Sequence, residues 1–429
     1  MKAENLVDKV DAVDTLDALE RRDPQERERD LMARLPQLIE RARSAPGWAR
    51  ILEGVDGASI NSRAALASLP ITRKADLKAL QTASRPFGGL AVTPVGELSR
   101  VYVSPGPIFD PEGRGQDWWR FARPMYAAGV RAGGLLQNCF SYHFTPAAFM
   151  VEGGAARIGC AVIPAGAGQT EMQVQAIVDL RPDTYVGTPS FLRIIIEKAR
   201  EMGADISSMQ HALMGAEALP ESLRTWFREN GVPHVFQTYA SADIGSMAYE
   251  TATGGVLNPG MVLDEDVVLE IVRPGSGEPV APGDIGEIVV TLFNADYPLI
   301  RFATGDMSAL LVDAEPSRCG RTNSRIRGWL GRADQTTKVR AMFVHPSQVN
   351  NIVRRHPGIL KARLVVTGRM ANDVMTLHCE VASAPDAAQA AAIVESIREV
   401  TKLRGEVRFE SPGTLAEDGK VIEDLRDYS

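Results

Sequence analysis

Between about residues 98 and 311, short runs rich in β-branched residues alternate with segments of helical spacing. Successive parallel strands need a long crossover connection, and a helix is the usual one. The alternation therefore predicts βαβ units around a largely parallel sheet, and no other feature of the chain restricts the fold as much. In chain order the runs and segments are VYVSP, WWRFARPMYAAGV, GCAVIPAG, EMQVQAIVDL, TYVGTPS and FLRIIIEKAREMG.

The regions on either side of this core have different patterns. From about residue 14 to residue 43, as in LMARLPQLIERARSA, apolar residues recur at helical spacing and predict a helical scaffold. After the core, VVLEIV, EIVVTLF and SALLV predict strands of an antiparallel barrel or sheet, joined by a Gly/Pro-rich turn region. The tail from about residue 334 reads as helix, two strands, helix and strand, which predicts a small α+β cap.

These patterns predict an α/β protein with two domains. A large N-terminal domain, 1–332, combines a helical front (1–95) with an α/β core of mixed or parallel sheets and an antiparallel, barrel-like part (96–332). A small, mobile α+β C-terminal domain follows at 333–429. A chain of 429 residues, 45% hydrophobic, exceeds the size of a single hydrophobic core, which also favours more than one domain.

Composition argues against several classes of protein. No apolar run approaches the roughly 18 residues of a membrane span, and the charged start does not resemble a signal peptide, so we expect a cytoplasmic protein without membrane contact. A net charge of -7 offers no basic stripe for nucleic acid. Four scattered cysteines without a CxxC pair predict no disulfide framework and no zinc.

Eight short motifs occur in an order that resembles the phenylacetate-CoA ligase branch of the adenylate-forming enzymes. The resemblance implies that a small carboxylic acid attacks the α-phosphate of ATP, with Mg²⁺, to give an acyl-adenylate, and that coenzyme A then displaces AMP. It also implies rotation of the small domain, and a homodimer is a family-level expectation. The motifs are LPITRKADL (69–77), PAGAGQTEMQVQAI (164–177), VGTPSFL (186–192), MGAEALPESLR (214–224), YASADIG (239–245), GEIVVTLFNADYPLIRFATGD (286–306), CGRT (319–322) and GRADQTTKVRAMFVHPSQV (331–349).

The resemblance assigns most of a nucleotide site. Gly215, Ala216 and Glu217 match a turn that lines the adenine and acyl pocket, where small residues permit close backbone approach. Tyr239 matches the aromatic residue that stacks on adenine, and Gln237 a partner of the adenine amino group. The alternative is that this stretch is a strand end whose tyrosine packs in the core and binds no nucleotide.

The resemblance also assigns charged residues. Asp243 stands where relatives have a Glu that helps to hold Mg²⁺, and Asp306 matches the carboxylate that binds the ribose hydroxyls. Arg332 matches an arginine near the ribose and phosphate, Asp334 the hinge, and Lys420 the catalytic cation that reaches the carboxylate and the α-phosphate. For Arg332, Asp334 and Lys420, an ordinary solvated charge is the alternative.

An aromatic segment is the candidate for acid binding. Tyr142, His143 and Phe144 match residues that line the carboxylate substrate in relatives. For His143, a packed and hydrogen-bonded role is the alternative to direct contact with the acid.

The stretch RVYVSPGPIFDPEG (100–113) departs from the family pattern. Relatives have a Ser/Thr/Gly-rich string ending in Gly-Lys, whose N–H groups and hydroxyls bind the β- and γ-phosphates. Ser104 and Gly106 remain as candidate phosphate ligands, whereas two prolines remove N–H donors and Asp110 adds a negative charge.

Two functions remain open on the sequence. One is an ATP-dependent acid-thiol ligase with an altered phosphate loop, which the retained Tyr239, Asp306 and Lys420 favour. The other is a homologue that no longer adenylates and that binds or transfers an acyl-adenylate or acyl-CoA, which the altered loop favours.

Overall fold

The computed structural model describes residues 14–104, 107–312, 315, 317–330, 332–333, 337–340, 342–344, 346–368, 372–383, 385–416 and 420–426. Within these residues the chain divides into two compact units. The first takes the described residues up to Ala216, with Phe227–Thr304 and Ser308–Trp329. The second takes Glu217–Trp226, Gly305–Met307 and the described residues from Leu330 onward.

The helices follow the expected order along the chain. They are α1 (Pro24–Arg43), α2 (Pro46–Ile51), α3 (Arg63–Ala67), α4 (Leu77–Ala83), α5 (Ala122–Ala127), α6 (Ala147–Ile158), α7 (Thr170–Leu180), α8 (Pro189–Met202), α9 (Glu221–Glu229), α10 (Pro346–Arg355) and α11 (Ala387–Thr401).

The strands range in length from two to ten residues. They are β1 (Thr72–Arg73), β2 (Arg100–Ser104), β3 (Ile108–Glu112), β4 (Leu135–Asn138), β5 (Ala161–Ile163), β6 (Thr184–Gly187), β7 (His211–Met214), β8 (His234–Ser241), β9 (Gly245–Tyr249), β10 (Ala252–Thr253), β11 (Val256–Leu257), β12 (Met261–Leu263), β13 (Val267–Val272), β14 (Gly286–Leu292), β15 (Leu299–Ser308), β16 (Arg325–Ile326), β17 (Thr337–Val339), β18 (Met342–Val344), β19 (Ile359–Thr367), β20 (Val374–Val381), β21 (Glu406–Glu410) and β22 (Ile422–Asp424).

The predicted α/β core is confirmed. An eight-stranded sheet has the order β16-β12-β9-β8-β7-β6-β4-β5. Pairing is parallel from β5 through β4, β6 and β7 to β8, and antiparallel from β8 to β9, β12 and β16. Helices α6, α7, α8 and α9 connect successive parallel strands, as the alternation in the sequence requires.

The antiparallel region forms a sheet, and no closed barrel is present among the described residues. Its four strands have the order β1-β15-β14-β13, with β13 antiparallel to β14 and β1 parallel to β15. The strand predicted at SALLV (308–312) is wrong, because that segment makes only an isolated bridge from Leu310 to Ile326. The strand runs instead through LIRFATGDMS, where buried Arg301 is paired with Glu270 across the sheet at 3.0 Å.

The second unit contains a small α+β sheet. Its order is β21-β20-β19-β22, with β19 antiparallel to β20 and with β21 and β22 added in parallel. Helices α10 and α11 belong to the same unit, and Val349, Ile352, Ile393 and Ile397 pack in its core. Among the described residues, no helix is both long enough and apolar enough to cross a lipid bilayer.

The helical front is tied to the first unit by buried charges. A short 3₁₀ helix, Ala18–Arg21, carries Glu20, which is only 1% exposed. The Glu20 carboxylate accepts a hydrogen bond from the Tyr249 hydroxyl at 2.9 Å and pairs with the Arg321 guanidinium. The front is therefore held by side chains more than 200 residues away, and a helical pattern alone does not predict such contacts.

We expect Glu20→Ala to destabilise the first unit strongly, because it leaves the Arg321 charge and the Tyr249 hydroxyl without their acceptor. Breaking a buried ion pair costs about 3–5 kcal/mol. The free energy of unfolding in urea measures the loss. Glu26→Ala, at an exposed position of α1, is the control and should cost far less. A loss below about 1 kcal/mol for Glu20→Ala would contradict this account of the buried pair.

Candidate active site

The carboxyl ends of the parallel strands bring several predicted residues to one edge of the sheet. Strand register places Gly187 beside Met214, and Met214 beside Gln237. The Gly215 N–H donates to the Gly187 carbonyl at 3.1 Å, which continues the pairing past the end of β7. Ligands of α/β sheets bind at this edge, outside the carboxyl ends of the strands.

The turn after β7 packs against Phe140 at one residue and is left-handed at the next. A Cβ atom added to Gly215 would lie 3.4 Å from Cζ of Phe140. Ala216 follows with φ +66°, a left-handed conformation that larger and branched side chains avoid. Glu217, the third residue of the predicted turn, is half-buried and belongs to the second unit.

Strand β8 presents Gln237 and Tyr239 at the same edge. Both residues are half-buried, and Tyr239 packs against the large hydrophobic core. The Glu250 carboxylate accepts from the Gln237 N–H at 2.7 Å, and the Glu250 N–H donates to the Gln237 carbonyl at 3.0 Å. Sequence reasoning missed Glu250, because it follows the next strand and no motif includes it.

The aromatic segment after β4 is divided between buried and exposed positions. The Tyr142 hydroxyl donates to Glu152 at 2.6 Å and accepts from the Asn138 amide at 2.9 Å. Burial and the Glu152 carboxylate raise the pKa of Tyr142 well above its ordinary value. His143 is exposed beside the ring of Phe144, which is 63% exposed and has φ +64°. Tyr142 is thus held rigidly, whereas Phe144 has little packing of its own.

The stretch 100–113, where the sequence predicts an altered phosphate loop, forms the antiparallel strands β2 and β3. Strands β2 and β3 pair in register from Arg100 with Glu112 to Ser104 with Ile108, so only residues 105–107 connect them. The Ser104 hydroxyl is buried and donates to the Ile108 carbonyl at 3.2 Å. Gly106, the other predicted phosphate ligand, lies outside the described residues.

Asp110 does not point to solvent from this hairpin. The residue is 1% exposed, and neither carboxylate oxygen has a hydrogen-bond partner among the described residues. Burial, and then the neighbouring Asp243 carboxylate, raise the pKa of Asp110 far above its ordinary value of 3.8. The sequence showed the negative charge of Asp110 but not its burial.

Asp243 is also buried, at 3% exposure, and its Oδ2 pairs with the ammonium of Lys74. Its Oδ1 is buried without a hydrogen-bond partner in the described part of the chain. Lys74 lies in the motif LPITRKADL, but no role was predicted for it from the sequence.

A magnesium ion at Asp243 would have this one carboxylate as its protein ligand. Carboxylate oxygen suits Mg²⁺, which is commonly bound through one or two carboxylates together with substrate phosphates. Within the described ranges, no group of three or more His, Cys, Asp and Glu side chains is arranged to hold a metal. The orphan Oδ1 therefore fits the ion, provided that phosphates supply the other ligands.

In the second unit, Asp306 and Arg332 come together. The Arg332 guanidinium donates to Asp306 at 2.9 Å, and the two residues form an isolated β-bridge. Gly305, which precedes Asp306 in β15, has φ +76°. A Cβ atom at Gly305 would lie 2.6 Å from Nη2 of Arg332. The predicted ribose carboxylate and its neighbouring arginine are therefore held together by backbone pairing as well as by charge.

Lys420 precedes β22 with a side chain that is 51% exposed, and its ammonium lies 3.7 Å from Glu423. The predicted hinge residue Asp334 lies outside the described residues. The roles of both residues therefore stay predictions.

We expect Asp110→Asn to stabilise the protein increasingly as pH rises. A carboxyl group whose folded pKa is raised loses its stability contribution as pH rises from the ordinary value toward the folded one. Within that window, the difference in unfolding free energy between Asp110→Asn and the unaltered chain should grow by up to about 1.4 kcal/mol per pH unit.

Urea unfolding from about pH 4.5 to 7.5 measures this difference. Asp179→Asn, at an exposed position of α7, is the control and should give a difference that does not change with pH. A flat difference for Asp110→Asn as well would mean that Asp110 is not held in the protonated form.

Comparison with known proteins agrees with this geometry. A family model described as AMP-binding enzyme matches residues 131–292, which include the parallel strands. The phenylacetate-coenzyme A ligase of Thermus thermophilus is 31% identical over 336 residues, covering 76% of this chain and 74% of that protein. The corresponding enzyme of Aromatoleum evansii is 27% identical over 340 residues, covering 77% and 75%.

A solved structure shares the fold over the whole chain. The 2-hydroxyisobutyryl-CoA ligase in complex with 2-HIB-AMP and CoA superposes with a TM-score of 0.82 at 24% identity, covering 100% of this chain and 96% of that one. The Thermus relative decides the family, since it exceeds 30% identity over three quarters of both chains. The chain belongs to the phenylacetate-coenzyme A ligase family of adenylate-forming enzymes.

Proposed function

We propose that this chain is a carboxylate-CoA ligase that activates a small carboxylic acid with ATP and transfers the acyl group to coenzyme A. The relatives named phenylacetate-coenzyme A ligase support this prediction. The observation that carries it is the sheet edge where Met214 pairs with Gln237 and the Gly215–Ala216 turn follows directly after β7. Such an edge leaves open backbone for a flat base and for the reacting carboxylate.

The predicted nucleotide-site residues bind the adenosine of ATP. Tyr239 stacks on the base, and Gln237, held in place by Glu250, binds the adenine amino group. Asp306 accepts hydrogen bonds from the ribose hydroxyl pair, and Arg332 lies beside it. Glu217 completes the turn that lines the pocket.

The reaction develops negative charge on oxygen twice. A carboxylate oxygen attacks the α-phosphorus and pyrophosphate leaves, after which the coenzyme A thiol attacks the acyl carbon and AMP leaves. Lys420 supplies the cation at the first step, and rotation of the domain 333–429 about Asp334 withdraws it for the second. Asp243 would hold Mg²⁺, whose charge would offset that of the phosphates.

The acid pocket and the remaining partners complete the proposal. Tyr142, His143 and Phe144 line the acid, with Tyr142 oriented by Glu152. The enzyme uses no zinc, binds no nucleic acid or membrane, acts in the cytoplasm and forms a homodimer.

The hairpin supports a second candidate function. Binding of β- and γ-phosphates uses several N–H donors in a loop, but only three residues separate β2 from β3 and two of them are prolines. The second candidate transfers the acyl group of a preformed acyl-adenylate, or of an acyl-CoA, without cleaving ATP.

We expect Asp306→Ala to weaken AMP binding by about 1.5–3 kcal/mol, the value of hydrogen bonds to a charged group. This corresponds to a roughly 10- to 150-fold higher Kd in calorimetry. Asp306→Asn, which keeps one acceptor oxygen, is the matched control and should lose less. If folded Asp306→Ala binds AMP as tightly as the unaltered chain, the ribose site lies elsewhere.

Pyrophosphate release separates the two candidate functions. With ATP, Mg²⁺ and coenzyme A, a panel of aryl and alkyl acids should include at least one that releases pyrophosphate and forms a thioester in equal amounts. If no acid does so, but a synthetic acyl-adenylate of the same panel reacts with coenzyme A, the second candidate is correct. If neither reaction occurs, the ligase proposal is wrong, and transfer from an acyl-CoA is the form of the second candidate to assay next.

A further inference from the structure

Cys319 has surroundings unlike those of the other three cysteines. All four thiols are free. Cys139, Cys160 and Cys379 are buried, and burial raises their pKa values to about 12, 11 and 12, so they act as small apolar core residues. Cys319 instead is partly exposed, in a turn closed by the hydrogen bond from the Gly320 N–H to the Ser317 carbonyl at 3.0 Å.

Hydroxyl groups surround the Cys319 sulfur. Its Sγ lies 3.0 Å from the Ser317 hydroxyl and 3.4 Å from that of Thr251. Burial alone would raise the pKa of Cys319, but hydrogen bonds with Ser317, Thr251 and Arg321 lower it below its ordinary value of 9.0. Since the thiolate is the reactive form, this arrangement makes Cys319 the most nucleophilic of the four cysteines.

The Arg321 guanidinium provides a second, independent observation. The residue is 5% exposed, and its Nε pairs with Glu20. Its Nη2 is buried without a hydrogen-bond partner in the described ranges, and the charge of the guanidinium interacts with Cys319. A buried N–H donor without an acceptor is a position where an added oxygen atom would be bound.

We propose that Cys319 is a site of reversible oxidation by small hydroperoxides, whose product is held by Arg321. The thiolate sulfur attacks one peroxide oxygen, so that an S–O bond forms and the O–O bond breaks. Sulfur loses two electrons to the peroxide, the departing oxygen takes up the thiol proton to leave as water or an alcohol, and the sulfenic oxygen accepts a hydrogen bond from Nη2. A small oxidant suits a sulfur that is only partly exposed.

Oxidation of Cys319 would weaken the contacts of Glu20 that hold the helical front. Arg321 binds the Glu20 carboxylate, and the Thr322 N–H donates to the Glu20 carbonyl at 3.0 Å. A guanidinium that turns toward a sulfenic oxygen weakens its pairing with Glu20. The proposal does not depend on the proposed ligase activity.

Sulfenic acid trapping tests the proposal on the full chain. After treatment with hydrogen peroxide and dimedone at pH 7, mass spectrometry should find the adduct on Cys319 at least about tenfold more than on Cys160, since one pKa unit changes the thiolate fraction tenfold. Dithiothreitol added before dimedone should abolish the label. Equal labelling of the two cysteines, or none on Cys319, would overturn the proposal.

Two variants separate the hydroxyl surroundings from simple exposure. Ser317→Ala keeps the thiol but removes a hydrogen bond to it, and should slow labelling at pH 7 by up to about tenfold. Peroxide should lower the melting temperature of the unaltered chain but not that of Cys319→Ala. Labelling of Ser317→Ala at the unaltered rate, or equal peroxide effects on both melting temperatures, would contradict the proposal.

Discussion

The parallel hydrogen-bond ladder from β4 through β6 and β7 to β8 is the constraint on which the site depends. Because these strands run in one direction, their carboxyl ends meet at one edge, and the register places Gly187, Met214 and Gln237 side by side. Val186, Leu213 and Phe236 fill the core below the edge. A shift of one residue in any pair would move alternate side chains to the opposite face of the sheet, so the core residues also fix the position of the Gly215–Ala216 turn.

Buried charge is the second organising feature of the first unit. Asp243 and Asp110 are buried near each other, the half-buried Lys74 pairs with Asp243, and burial holds the pKa of Asp110 above its ordinary range. The hairpin that carries Asp110 is short and closed by its own hydrogen bonds. This chain thus combines the parallel sheet edge with a hairpin that carries an internal carboxyl group.

The sequence predicted the elements whose pattern is local. Strand β6 and helix α8 follow directly from TYVGTPS and FLRIIIEKAREMG, because a run of β-branched residues and a helical stripe are each readable within a short window. It did not predict the burial of Glu20 or the pairing of Arg301 with Glu270, since those charges are neutralised by partners distant in sequence. The strand β15 was missed for the same reason, because a strand that buries Arg301 depends on its pairing with Glu270.

The central claim is that the acid passes through an acyl-adenylate, and transfer of oxygen-18 tests it most directly. A reactive acid labelled in both carboxylate oxygens is incubated with ATP, Mg²⁺ and coenzyme A, and the nucleotide product is analysed by mass spectrometry. The account predicts one oxygen-18 atom in AMP for each thioester formed, because the carboxylate oxygen that attacks the α-phosphorus leaves with AMP. Thioester formation with unlabelled AMP, or with ADP and labelled phosphate, would contradict it.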